Sequence, residues 1–177
     1  VYMMHQGNNA VAVHKTDDIQ RIDRVNLGRA PISLVVDPTD NSIFTHSFLT
    51  REVHQFTVFS GNANSIASFA EIGDSVTTVA NEKMSPEALM GKQVFYNADD
   101  MRMGLEGYIS CAGCHLDGGA DQSVWDFHQV GEGFRNTIPL KGRGNMLHGR
   151  VHWSANFDEI QDFEHDMRGP FGGLGFM

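Results

Sequence analysis

Short runs of β-branched and aromatic residues, broken by polar turns, fill the first 80 or so positions. Ala10-Val11-Ala12-Val13-His14, Ile32-Ser33-Leu34-Val35-Val36, Ser42-Ile43-Phe44-Thr45 and Val53-His54-Gln55-Phe56-Thr57-Val58 each read as a strand. Lys15-Thr16-Asp17-Asp18, Asp37-Pro38-Thr39-Asp40-Asn41 and Gly61-Asn62-Ala63-Asn64 read as the turns between them. The period then changes. Ser85-Pro86-Glu87-Ala88 opens a helix, with Ser as N-cap, Pro at the first helical position and an acid in the first turn. Leu89, Met90, Val94 and Phe95 continue it at helical spacing, and Asn97 to Arg102 reads as a polar loop.

This pattern predicts two domains, a β segment over 1–78 and a second domain over 79–177, with the boundary near 76–84. A weak internal repeat supports the division. Asn9 to Val13 resembles Glu52 to Phe56, and Ile22 to Gly28 resembles Ile66 to Gly73, at the spacing of a propeller blade. Two such repeats are too few to close a propeller, so either further blades lie upstream or the segment is a small two-sheet module. An ordinary β-meander is the plainer alternative.

Composition adds a boundary condition. The chain has 177 residues, 41% of them hydrophobic, and a formal net charge of −9. That charge argues against nucleic-acid and anionic-membrane binding, and it suits a basic partner. No apolar run is long enough for a transmembrane helix. Val1 follows no charged or apolar leader, and the sequence stops in a glycine-rich stretch, Gly172 to Met177. Both features lead us to expect a mature portion or a fragment of a longer chain.

The chemistry concentrates at Cys111-Ala112-Gly113-Cys114-His115, the pattern of a c-type haem attachment site. Cysteines three apart share one side of a helical turn, so both thiols can add to the haem vinyl groups while His115 serves as proximal iron ligand. Other readings fit less well. A zinc site normally needs four ligands, and the chain has only these two cysteines. A thioredoxin-like motif would want a βαβ context. A disulfide across two residues closes almost no loop and adds little stability. One covalent haem c is therefore the expected cofactor. Covalent haem attachment takes place outside the cytoplasm in bacteria, so a periplasmic or extracellular location is expected.

The segment Arg29-Ala30-Pro31-Ile32-Ser33-Leu34-Val35-Val36-Asp37-Pro38 resembles the strand pair of YVTN/YncE-type β-propellers. Further on, four blocks occur in order. They are Ile109 to His115, Gly118-Gly119-Ala120-Asp121, Arg135-Asn136-Thr137-Ile138-Pro139-Leu140, and His152-Trp153 followed by Asp158-Glu159-Ile160. From Gly91 to about Arg168 the chain thereby resembles the cytochrome c domains of the bacterial dihaem cytochrome c peroxidase superfamily, which includes MauG-like proteins. Ser154-Ala155-Asn156 stands where that family carries Asp-Gly-Arg, and no second Cys-x-x-Cys-His is present.

The resemblance implies an α+β chain, with propeller-like antiparallel strands followed by a mainly α cytochrome c domain. It implies Arg135 against a haem propionate, Trp153 in the haem pocket or on an electron path, and a calcium ion held in part by Asn136-Thr137 backbone. The second iron ligand stays open among His152, His128 and Met146, with His152 favoured. Two functions follow: an electron-transfer module served by a redox partner or a second haem domain, and a haem enzyme acting on hydrogen peroxide. The enzyme needs an acid/base residue near the iron, and Glu132 is the nearest acidic candidate. Met101 and Met103 precede the motif too closely to reach the far side of a haem, and they read as packing.

Overall fold

The computed structural model describes residues 1–17, 21–59, 68–142 and 149–177. Met146, His148, the whole Gly61–Asn64 turn, Asp18 of the first turn and the start of the second repeat lie outside the described residues. The chain divides into two compact units, Val1–Val94 and Phe95–Met177.

In the first unit, β1 (Tyr2–His5), β2 (Ala10–His14) and β3 (Arg21–Asn26) form an antiparallel sheet in that order. A second sheet runs in the order β4 (Pro31–Val36), β5 (Ser42–Ser47), β6 (Glu52–Phe59), β7 (Ser68–Glu71), with the short β8 (Val76–Thr77) also paired to β6. The sheets meet along β1 against β4 and β3 against β7. Between them Val11, Ile43, Phe56 and Val58 are buried, with Tyr2, Val25, Leu27 and Leu34 packed around them. Period-two alternation explains the division of labour on β5. Ile43, Thr45 and Ser47 are buried and Phe44, between them, is exposed.

The β4–β5 turn carries the residues that the sequence marks. Asp37 Oδ1 accepts from the Thr39 amide at 2.8 Å and from its hydroxyl at 2.6 Å. Asp40 Oδ1 accepts from the Ser42 amide at 2.8 Å. Asn41, with φ +59, completes the reversal. The β5–β6 turn places Arg51 at φ +63. Its guanidinium donates to the Phe48 carbonyl and to Glu82 Oε2, the latter at 2.8 Å.

That pairing predicts a measurable titration. Arg51, followed by the Met84 amide, holds the Glu82 carboxyl down at about 2. The depressed value contributes stability that is present above the ordinary 4.5 and lost as pH falls toward about 2. Arg51→Gln should move the Glu82 carboxyl resonance, followed by ¹³C NMR, back toward 4.5. An unchanged midpoint would remove Arg51 as the cause.

Helix α1 (Pro86–Tyr96) begins at the proline, and the Ser85 hydroxyl accepts from the Ala88 amide at 3.2 Å. Most of this helix belongs with the strands rather than with the second unit, which moves the division from the expected 78/79 to 94/95. The cause is local. Gln93 Nε2 donates to the Leu49 carbonyl at 3.0 Å, and the Lys92 ammonium sits 5.1 Å from the centre of the Phe48 ring.

The second unit corrects the expected fold class. It is not a mainly α cytochrome c domain, and the chain as described is mostly β, with three sheets and three short helices. Among the described residues of Phe95–Met177, the α-helices are the end of α1, α2 (Cys111–Cys114) and α3 (Glu164–Arg168). Its sheet is the hairpin of β9 (Val124–Phe127) and β10 (Gly133–Asn136). Glycine and left-handed residues interrupt any longer helix: Asp117, Gly118, Gln122, Gly131, Gly133, Gly149, His152 and Ala155 all have positive φ. Each glycine in a helix interior costs about 1 kcal/mol relative to alanine, and no sustained amphipathic period offsets it here.

Candidate functional site

Ser110 is extended, at φ −138° and ψ 157°, and starts the single turn α2. The Gly113 amide bonds the Ser110 carbonyl at 3.0 Å and the His115 amide bonds the Cys111 carbonyl at 2.8 Å. Both cysteines are free thiols. Burial pushes the Cys111 thiol up to about 11, and its Sγ lies 4.0 Å from Sδ of the fully buried Met103. Burial, then the charge of Asp121, raises the Cys114 thiol. His115 Nδ1 is buried with no hydrogen-bond partner. An orphaned buried polar atom of this kind costs about 1–3 kcal/mol unless something satisfies it.

The chain turns back directly after His115. The Gly118 amide bonds the His115 carbonyl at 2.9 Å, and the Gly119 amide bonds the Leu116 carbonyl at 2.7 Å. Leu140 is drawn beside this turn by its amide, 2.8 Å from the Gly118 carbonyl. The Tyr96 hydroxyl donates to Asp117 Oδ1 at 2.7 Å. Burial and that carboxylate push the phenol up to about 12.

Asp121 organises the approach to the hairpin. Its carboxylate accepts from the Thr137 hydroxyl at 2.6 Å, the Ser123 amide at 2.9 Å and the Trp125 indole at 3.1 Å. These donors, Thr137 first, keep the Asp121 carboxyl below its ordinary value. Asn136 and Thr137, expected as calcium backbone, have other partners: the Asn136 carbonyl accepts from the Trp153 indole at 2.7 Å. Among the described residues no three His, Cys, Asp or Glu gather to hold a metal ion. A haem iron needs no such group, since the porphyrin supplies four of its ligands.

Of the candidate second ligands, His128 and His152 lie within the described residues. His128 is exposed at the hairpin tip, its Nδ1 2.5 Å from Asp126 Oδ1 and its ring edge-on to Phe134. His152 is at φ +74, and its largely covered side chain stacks on Phe157 at 4.5 Å, flanked by Trp153 and Phe163. Its Nδ1 is 2.9 Å from Asn156 Oδ1 and its Nε2 is 3.6 Å from Asp166 Oδ2. Ligating an iron would require His152 to give up one of these partners. Burial, acting against His152 and His165, raises the Asp166 carboxyl.

Arg135 Nη2 meets Glu132 Oε2 at 3.1 Å, while its Nε is buried without a partner. The Ser154 hydroxyl donates to the same Glu132 oxygen at 2.6 Å. Ser154, then Arg135, hold the Glu132 carboxyl below its ordinary value, which is unsuited to an acid that must give up a proton near neutral pH.

Sequence reasoning missed the Tyr96–Asp117 bond, the Met103 contact to Cys111, and the Phe157–Phe163–Asp166 surroundings of His152. Asp117-Gly118 was the available signal for a left-handed turn after the motif. Phe157 and Phe163 carry no local pattern that singles them out.

No family model matches this sequence, and no similar chain emerges from the curated proteins or from the solved structures.

Proposed function

We propose that the chain carries one covalent c-type haem on Cys111, Cys114 and His115 and acts as an electron-transfer module of a larger exported protein. The carrying observation is the motif turn itself: two free thiols on one helical turn, followed by a histidine whose Nδ1 is buried and unpaired. The surroundings suit an apolar group. Among the described residues of Phe95–Met177, the buried hydrophobics are only Tyr96, Ala98, Met103, Ala112 and Phe157. Leu105, Leu116, Ile138 and Leu140 are exposed, apolar surface that a bound porphyrin could cover.

When bound, the haem supplies one-electron chemistry through its iron, which no side chain offers. The protein's part is to fix it. Cys111 and Cys114 anchor the ring by thioethers, each formed when an S–H adds across a vinyl C=C. His115 offers an imidazole nitrogen to the iron, and Met103 packs beside the first anchor. The net charge of −9 favours a basic redox partner. No described helix is long and apolar enough to cross a membrane. The peroxide-cleaving alternative lacks support at Glu132, which is held as a carboxylate.

The four sequence blocks favour kinship with the dihaem peroxidase superfamily. The mostly β fold does not favour it, so the proposal rests on the motif turn. The test is expression with a bacterial haem c maturation system, followed by haem staining on a denaturing gel and intact mass. One haem per chain, retained after denaturation, is the expected result. A chain that passes through maturation with unmodified thiols would overturn the proposal.

A further inference from the structure

Three segments fix the backbone at His115. From before, α2 holds it through the bond from the His115 amide to the Cys111 carbonyl, 2.8 Å. From after, the Gly118 amide closes on the His115 carbonyl at 2.9 Å. That closure depends on two consecutive left-handed residues, Asp117 at φ +48 and Gly118 at φ +72. Glycine adopts this region freely. An L-residue avoids it because Cβ crowds the following carbonyl, and Asp tolerates it best when its short side chain is hydrogen-bonded. The third segment supplies that bond. Tyr96, 21 residues earlier at the end of α1, is buried and donates its hydroxyl to Asp117 Oδ1 at 2.7 Å. Phe95 packs edge-on against the Tyr96 ring at 5.7 Å, so the ring stays supported if its hydroxyl is removed.

We propose that Tyr96 is a positioning residue for His115: by gripping Asp117 it holds the left-handed turn that sets the direction in which the His115 imidazole is offered to the haem iron. This inference rests on the haem reading above. Tyr96 touches neither iron nor porphyrin, and it acts through Asp117 and the 115–118 peptides.

The experiment compares Tyr96→Phe, Asp117→Ala and Asp117→Asn with the parent chain, first without haem and then after maturation. In the haem-free chains, hydrogen exchange at the Gly118 and Gly119 amides should speed up about tenfold in Tyr96→Phe and Asp117→Ala, the factor expected for one lost hydrogen bond to a charged acceptor. Far-UV circular dichroism should stay unchanged. After maturation these two variants should keep one covalent haem, while the share of haem whose ferric electron paramagnetic resonance signal departs from the parent's rises about tenfold as His115 leaves the iron. Asp117→Asn should behave as the parent, since its amide oxygen still accepts from Tyr96 and Asn tolerates the left-handed region.

Unchanged glycine exchange in Tyr96→Phe would overturn the proposal, and so would a ferric electron paramagnetic resonance signal identical to the parent's in a loaded variant. Asp117→Asn as perturbed as Asp117→Ala would also overturn it, by making charge rather than geometry the operative property. A parent chain that takes no covalent haem would instead overturn the haem reading. Glycine exchange would then still decide whether Tyr96 holds the turn.

Discussion

Phe56→Ala is expected to destabilise the Val1–Val94 unit by about 3–5 kcal/mol, the usual result of emptying a phenylalanine site in a packed core. Phe56 is 1% exposed, lies directly opposite Ile43 across β5 and β6, and shares its cluster with Val11 and Val58. Two sheets meet at this ring, so neither can collapse onto the hole without breaking its own register. Phe44→Ala is the internal control. Phe44 neighbours Ile43 on the same strand but faces away from the core and is 36% exposed, so its truncation should cost less than about 1 kcal/mol. Amide exchange in β2, β5 and β6 localises the effect to this unit, and urea midpoints give its size. Equal losses from the two substitutions would show that the inter-sheet layer is not the core.

The strands that carry these neighbours were legible in the sequence because runs of β-branched and aromatic residues need only a few positions to declare themselves. Strands at Ala10–His14, Pro31–Val36, Ser42–Ser47 and Glu52–Phe59 coincide with the β-branched and aromatic runs. Ser85-Pro86 marks the start of α1 equally well. β1 and β3 were not legible. Tyr2-Met3-Met4-His5 has no β-branched residue, and Arg21-Ile22-Asp23-Arg24-Val25-Asn26 is mostly charged or polar. Their strand character comes from pairing with the buried β2, a tertiary effect that local propensity does not contain.

The second unit misled for a different reason. Block order in a sequence says which residues follow one another, and the expected helical domain was carried over with it. The residues themselves spoke against helices: Val124-Trp125-Asp126-Phe127 is rich in β-branched and aromatic residues, and Gly131 and Gly133 punctuate the turn into β10. The motif was legible because its chemistry is local, five consecutive residues on one turn. Tyr96 and Asp117, 21 positions apart, were not, because only the folded chain brings them together. His152 drew notice by its place beside Trp153, while its partners Asn156 and Asp166 carry no local signal that pairs them with it.

Replacing both Cys111 and Cys114 with serine should abolish haem retention on a denaturing gel, the largest effect expected anywhere in the chain. Serine keeps the approximate size, but its hydroxyl does not form the thioether to a vinyl group. Each single replacement leaves one bond and should still retain haem, with the absorption bands shifted by the remaining vinyl. The consequence for stability follows from how little apolar surface this unit buries by itself. Leu116 and Leu140 flank the turn that carries the motif and are exposed. Covering about 100 Å² of such surface contributes about 2.5 kcal/mol. For a unit of this size that corresponds to roughly 10–20 °C in melting temperature. The proposed haem-loaded chain should therefore melt higher than the double-serine chain by that margin, with the difference confined to amides of Phe95–Met177. Covalent haem in the double-serine chain would overturn the attachment site. Equal amide protection with and without haem would show instead that the exposed leucines serve some surface other than the porphyrin.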